Sequence, residues 1–357
     1  MLEISLGLSL LALLVTLLNT FSLITPQKTD QIEEKISVLI PLRNEEENAL
    51  AIIETLSAQE KLSNVEFLIL NDNSTDKTYE LIKSSARGDS RFKIMQGSPL
   101  PEGWLGKPWA LAQLSEAANN EILICIDADV RLASTAIAAA VTAMHKNRLD
   151  FFSPYPSQVA LSFSERMIQP LLQWSWLSSV PLAIAKRSTN PSFAVANGQF
   201  FIVKKHALEK SGGYSSIKSE VLDDMQMARL LLRNKFKGSV GNGALIAQCH
   251  MYSSWEELEN GYAKSLWKAF GGLFGSFIAI SLLILTGIVP LIAAASGSSL
   301  GWSAFAAVLL SRIISARITR ANLFDSLLHP ISAALLVYLI IYSWLMRGRI
   351  QWKGRTV

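Results

Sequence analysis

Residues 65–86 read VEFLILNDNSTDKTYELIKSSA. A strand-like apolar run from Val65 to Leu70 ends in a polar turn, and Ser74 and Asp76 then open a segment with the composition of a helix start. The same alternation continues on either side. ISVLIP (36–41) precedes NEEENALAIIETLSAQ (44–59), whose apolar residues fall at helical spacing. RFKIMQ (91–96) precedes GKPWALAQLSEAA (106–118), and EILICID (121–127) is a fourth strand. Strands alternating with helices of this length predict an α/β fold, a doubly wound and mostly parallel sheet. Ligands of such sheets bind at the carboxyl ends of the strands. The informative stretches are therefore PLRNEEEN (41–48), NDNSTD (71–76), GSPLPEGWLGKP (97–108) and DADV (127–130).

The chain around this core is too apolar for an ordinary soluble protein. Half of its 357 residues are hydrophobic and 17% are charged, with a mean hydropathy of +0.28. The excess lies at the two ends. Residues 4–24 are uncharged and long enough to span a bilayer. They lack a basic leading segment and a small-residue cleavage site, so an uncleaved anchor over 1–26 is expected rather than a signal peptide. The run 273–295 is a second spanning candidate. WSAFAAVLLSRIISARI (302–318) and ISAALLVYLIIYSWLM (331–346) are shorter, and re-entrant or interfacial helices are the alternative for both. The expected organisation is an anchor at 1–26, a globular domain at 36–262 and a C-terminal membrane region with a basic tail at 268–357. One N-terminal and two to three C-terminal membrane helices follow from it. Within the globular part, 160–187 carries two tryptophans, two prolines and few charges. It reads either as buried core helices or as helices at the membrane interface.

The net charge of +4 comes partly from Arg312, Arg317, Arg320, Arg347, Arg349, Lys353 and Arg355, beside the C-terminal apolar runs. Such residues fix topology and touch anionic lipid, and no nucleic-acid motif accompanies them. Lys28 and Lys35 after the first span favour a cytoplasmic globular domain. Three C-terminal crossings would then put RGRIQWKGR (347–355) on the far side, which suggests that one run does not cross. The two cysteines, Cys125 and Cys249, imply no disulfide framework.

Neither G-x-G-x-x-G nor a P-loop occurs, and there is no zinc-spaced Cys/His cluster and no nucleophile elbow. Kinases, dinucleotide-dependent dehydrogenases and serine hydrolases are therefore poorly supported. What remains is acids at strand ends. Asp127 and Asp129, one residue apart, repel each other and fit a divalent cation with oxygen ligands, Mn²⁺ or Mg²⁺, whose shell a diphosphate completes. A turn or helix cap is the bland alternative for such a pair. Asp72 at the end of the second strand is placed to accept a base N–H or a ribose hydroxyl, and Lys107 to neutralise phosphate. Asn44 and Glu45 follow the first strand, where a helix cap and first-turn acids explain them almost as well. Asp223 and Asp224 open a helical segment; acids suit that position, and one of them could also serve as a general base.

Taken in order, SVLIPLRNEEEN, NDNSTDKT, GWLGKPWAL, DADV, GQFFIVKKHALEKSGGY and LDDMQMARLL resemble family 2 glycosyltransferases. The likeness is closest to the membrane-bound subgroup associated with hopanoid and carotenoid glycosylation, the diaponeurosporenoate type. It extends to MYSSWEELENGYAKSLWKAFGG (251–272), to His329-Pro330 and to the terminal WKGR. This resemblance implies a GT-A fold, an inverting transfer from a nucleotide-sugar donor, most often a uridine diphosphate sugar, and a divalent cation. It implies an acceptor hydroxyl or carboxyl on a membrane lipid such as a carotenoid or hopanoid, and a multi-pass protein of the cell (inner) membrane with its catalytic domain in the cytoplasm. Carried over, Pro41, Asn44, Glu45, Asp72, Lys107 and Asp127 would bind the nucleotide sugar, and Asp127 and Asp129 the metal. Asp224 would be the catalytic base, with Gly198, Gln199 and Asp223 on the acceptor side. Asn71 stands where the family commonly has aspartate, and Asp223 where it has glutamate. The Q-x-x-R-W signature is absent, which argues against polymer synthesis. A polyprenyl phosphate or a sphingolipid is an alternative acceptor, and a non-catalytic nucleotide-sugar-binding scaffold is an alternative of another class.

Overall fold

The computed structural model describes residues 1–27, 29–349, 351–352 and 355–356. Lys28, and Lys353 and Gly354 of the WKGR tail, lie outside the described residues. The chain divides into two compact units. One comprises residues 24–157 and 184–249, the other residues 1–23, 158–183 and 250–357.

The first unit is built on strands β1 (Ile32–Leu42), β2 (Leu62–Asn71), β3 (Phe92–Gln96), β4 (Ile122–Ile126), β5 (Val130–Leu132), β6 (Phe151–Tyr155), β7 (Phe200–Lys204), β8 (Gly238–Asn242) and β9 (Ala247–Cys249). Seven of them form one sheet in the order β3-β2-β1-β4-β7-β6-β8. The first four are mutually parallel, and β6 and β8 are also parallel. Only β7 runs against its neighbours β4 and β6. The parallel strands are apolar on both faces: all five residues of β4 are buried, as are Val38 to Ile40 and Phe67 to Leu70. Helices Glu46–Ser57, Thr78–Ser85 and Gly106–Ala117 make the predicted crossovers. β1 and β2 begin earlier than their most apolar stretches, extending through polar residues from Ile32 and Leu62.

In the second unit, segment 158–183 groups with both chain ends. It contains helix Phe163–Ser179 and the start of the short helix Leu182–Ala185; the first is opened by a capping box in which Ser162 accepts the Glu165 amide and Glu165 Oε2 accepts the Ser162 amide at 2.8 Å. Four helices among the described residues are long and apolar enough to cross a membrane: Leu2–Ser22, Leu273–Ala295, Ser299–Thr319 and Leu323–Leu345. The first is patterned inside out. Its buried stripe is Ser5, Ser9, Ala12, Thr16 and Asn19, while Leu10, Leu11, Leu14 and Leu18 face outward. Small and hydroxylated residues at the contact with leucine outside is the pattern of helices packing in lipid, where apolar burial between helices gives no advantage. Pro290 interrupts the second of these helices, and a π-helical stretch, Ile284–Ile288, precedes it. The Leu285 carbonyl accepts the Ser5 hydroxyl at 2.6 Å.

Candidate active site

The turn after β4 delivers Asp127 and Asp129. The Asp127 amide donates to the Gln199 carbonyl at 3.3 Å, and the Val130 amide to the Asp127 carbonyl at 3.2 Å. β5 then pairs antiparallel with β9, placing Val130 opposite Cys249. Lys107 lies in the first turn of helix Gly106–Ala117. Its Nζ is 2.6 Å from Asp127 Oδ1 and 4.0 Å from Asp223 Oδ2.

Asp223 and Asp224 open helix Asp223–Arg233. The Asp224 carboxylate accepts the Gly198 amide at Oδ2 (2.7 Å) and the adjacent Met225 amide at Oδ1 (2.7 Å). Gly198 fits because it has no side chain: a Cβ there would lie 3.2 Å from Lys107 Nζ and 3.4 Å from Asp224 Cβ. Gln199 is buried beside it, its amide donating to Asn197 Oδ1 at 2.8 Å. Asp127, Gly198 and the Asp223–Asp224 pair, from three separate stretches, thus surround one ammonium group.

The remaining predicted residues sit at the ends of β1 and β2. Pro41 lies within β1, in register with Leu70. Asn44, with a positive φ of 50°, accepts the Thr75 amide at 2.8 Å through its side chain and donates its own amide to Ser74 Oγ at 3.0 Å. The Glu45 amide donates to Thr78 Oγ1 at 2.8 Å. Asn44 therefore clamps the two loops together through its side chain, a part the helix-cap alternative did not include. Asp72 is 3% exposed and is held through its backbone: its amide donates to the Leu42 carbonyl and its carbonyl accepts Arg43 Nη1, both at 2.7 Å. The turn chemistry of this loop falls instead on Asn71 and Asp76, which accept the Ser74 and Thr78 amides.

Electrostatics separate the acids. Burial, then the charge of Asp127, pushes Asp129 up to about 6, against the pull of the Cys249 thiol; the Glu45 charge adds to the rise. Burial, then Asp223, pushes Asp224 up to about 6, against Lys107 and the two amides. For Lys107 burial opposes the charge, but Asp127, Asp223 and Asp224 outweigh it and raise its pKa. Four carboxylates face one ammonium, an excess of negative charge.

Asp129 Oδ1 is buried and has no hydrogen-bond partner. Among the described residues no three His, Cys, Asp or Glu side chains gather to hold a metal ion. The donor set therefore fits a hard cation bound through one or two carboxylates, with further oxygens supplied by a substrate. Two neighbours were missed in the sequence. Cys249 approaches the Asp129 carboxylate, and Tyr155, half-buried at the end of β6, interacts with Asn197 and senses the charge of Asp224. Both come from the later strands, whose pairing no local pattern announces.

Residues 37–212 match the model of glycosyl transferase family 2. The chain carries a family 2 glycosyltransferase domain. It is 25% identical over 247 residues to a beta-monoglucosyldiacylglycerol synthase of Nostoc, covering 65% of this chain and 50% of that protein. The chain thus spans about half the length of that relative. It is 22% identical to a 4,4'-diaponeurosporenoate glycosyltransferase of Staphylococcus aureus, over 90% of this chain and 88% of that one. The fold is shared with the mannosyltransferase PcManGT from Pyrobaculum calidifontis, solved in complex with GDP-Man and Mn²⁺. The TM-score is 0.58 at 17% identity, over 97% of this chain and 98% of that structure. These likenesses agree with the family read from the motifs and with a GT-A fold.

Proposed function

We propose that the protein is an inverting glycosyltransferase. It moves a sugar from a nucleoside diphosphate donor, of the uridine type, to a hydroxyl or carboxyl of a lipid held in the membrane. The observation that carries this reading is the pair formed by Asp224 and Lys107 across Gly198, beside the Asp127/Asp129 turn. Asp224 is the general base. Its raised pKa leaves it ionised at neutral pH yet basic enough to take the acceptor proton. Lys107 places a fixed positive charge where the leaving diphosphate accumulates negative charge. Asp72 and the β1–β2 loops hold the nucleoside, with Pro41, Asn44 and Glu45 shaping that edge. Gly198, Gln199 and Asp223 border the acceptor.

Asp129, through its unpartnered Oδ1, and Asp127 would hold Mn²⁺ or Mg²⁺. That cation would neutralise the diphosphate as a Lewis acid. A single displacement needs no covalent enzyme intermediate, so the anomeric centre inverts. The four apolar helices support a membrane protein with a lipid acceptor, and the catalytic domain faces the cytoplasm in this reading.

The test is release of nucleoside diphosphate by purified protein in detergent, with Mn²⁺ or Mg²⁺ and a panel of uridine and guanosine diphosphate sugars. Extracted membrane lipid should stimulate release, and Asp129→Ala should abolish it. Metal-dependent binding of a donor without release under any lipid would defeat the reading in favour of a scaffold.

A further inference from the structure

The helical unit contains a charge of its own. Arg312 lies within helix Ser299–Thr319 and is 2% exposed. Its Nε is buried without a hydrogen-bond partner, and no acidic side chain among the described residues forms an ion pair with it. The nearby carboxylate of Asp325, itself 2% exposed, is already held by another arginine: Arg166 donates to it at 3.0 and 2.5 Å in a two-pronged contact. Two guanidinium groups and one carboxylate leave one positive charge over.

The surroundings of Arg312 are polar and underused. Its guanidinium carbon lies 5.9 Å from the centre of the Trp174 ring. His329 packs edge-on against the same ring at 5.1 Å, fully buried, with neither ring nitrogen hydrogen-bonded. The Trp174 indole N–H donates to Ser311 at 2.7 Å and so contributes nothing further. A lone buried guanidinium is costly to hold without a compensating anion. Ionisable groups inside apolar helices are, as a rule, functional.

We propose that Arg312, with His329, forms a binding site for the acidic head group of a membrane lipid, a phosphate or a carboxylate. The planar guanidinium fork matches either anion with two parallel hydrogen bonds, and the imidazole adds a donor. The source is a lipid because the same helices present Phe324, Leu327, Leu310 and Ile331 outward. A soluble anion would have no use for that apolar surface. The inference rests on the membrane placement of the helical unit, but not on sugar transfer.

The full-length protein is reconstituted in phosphatidylcholine nanodiscs with and without phosphatidylglycerol. Wild type should melt at a higher temperature with phosphatidylglycerol and retain that lipid in native mass spectra. Arg312→Gln should lose the rise and bind phosphatidylglycerol about ten- to a hundredfold more weakly, the range for losing charge-assisted hydrogen bonds. Arg312→Lys should keep part of it. Equal rises in wild type and Arg312→Gln would overturn the proposal. So would an equal effect of inorganic phosphate in phosphatidylcholine discs, which would point to a soluble anion. Should Arg312→Gln not fold, wild type alone decides: no preference for phosphatidylglycerol over phosphatidylcholine sinks the site. Failure to enter nanodiscs at all would instead refute the membrane placement.

Discussion

Two clusters of wholly or partly buried charge in this chain are imbalanced in opposite directions. In the sheet unit, Asp127, Asp129, Asp223 and Asp224 surround one ammonium, Lys107. In the helical unit, two arginines, Arg166 and Arg312, stand against one nearby carboxylate, Asp325, which Arg166 alone binds. A fold does not retain uncompensated charge without a reason, because hydrophobic replacements are usually as stable or more so. The sign of the residue then indicates the sign of the ligand. The first cluster calls for cations and for groups that arrive with them; the second calls for an anion.

That contrast can be broken one charge at a time. The largest effect is expected from Asp224→Asn, which removes the proton acceptor while keeping the side chain's shape and one oxygen to accept one of the two amides. Turnover should fall about 10²- to 10⁴-fold, with donor binding retained in calorimetry. Lys107→Met should come next, lowering turnover about 10²- to 10³-fold through loss of leaving-group stabilisation. Acid should act in the same direction with less force. With Asp224 at about 6, turnover should fall about tenfold for each pH unit below that value. A pH–rate profile flat to pH 5 would remove Asp224 from the role.

The smallest effect concerns stability and has the opposite sign. The folded-state pKa values of Asp129 and Asp224 are raised from 3.8 to about 6, so the fold binds protons more tightly than the unfolded chain. Their contribution is fully present below pH 4 and is lost as pH rises through 6. At pH 7.5, without added metal, Asp129→Asn should therefore raise stability, by up to about 1–2 kcal/mol. Denaturant unfolding of the metal-free protein measures it.

The parallel half of the sheet was legible from the sequence because each βα unit is local. Val65 to Ala86 states its strand, turn and helix without reference to any other segment. The acids at those strand ends were legible for the same reason. The other half of the sheet depends on partners far along the chain. β7 inserts between β4 and β6, and β9 returns Cys249 to the Asp127–Asp129 turn. No local period encodes such a pairing, so Cys249 and Tyr155 went unnoticed. The stretch 160–187 was ambiguous because tryptophan and leucine suit a protein core and a membrane boundary equally. Its helix groups with the terminal helices in the second unit. In Leu2–Ser22 the seam is marked by Ser5, Ser9 and Thr16 rather than by leucine, which inverts the rule used for soluble helices.

The 2.6 Å contact between Lys107 and Asp127 has a consequence for the order in which ligands arrive. Asp127 already has a resident counterion, so an incoming metal ion must share its carboxylate with an ammonium that repels it. A phosphate group drawing Lys107 towards itself lifts that competition. By linkage, each ligand then tightens the other by the same factor. Donor titrations at rising metal concentration should become steeper in apparent affinity, and metal titrations at rising donor should do so equally. On the proposed function, the lysine would act as a placeholder, keeping the acid pair from capturing a stray ion until the substrate that needs it is present.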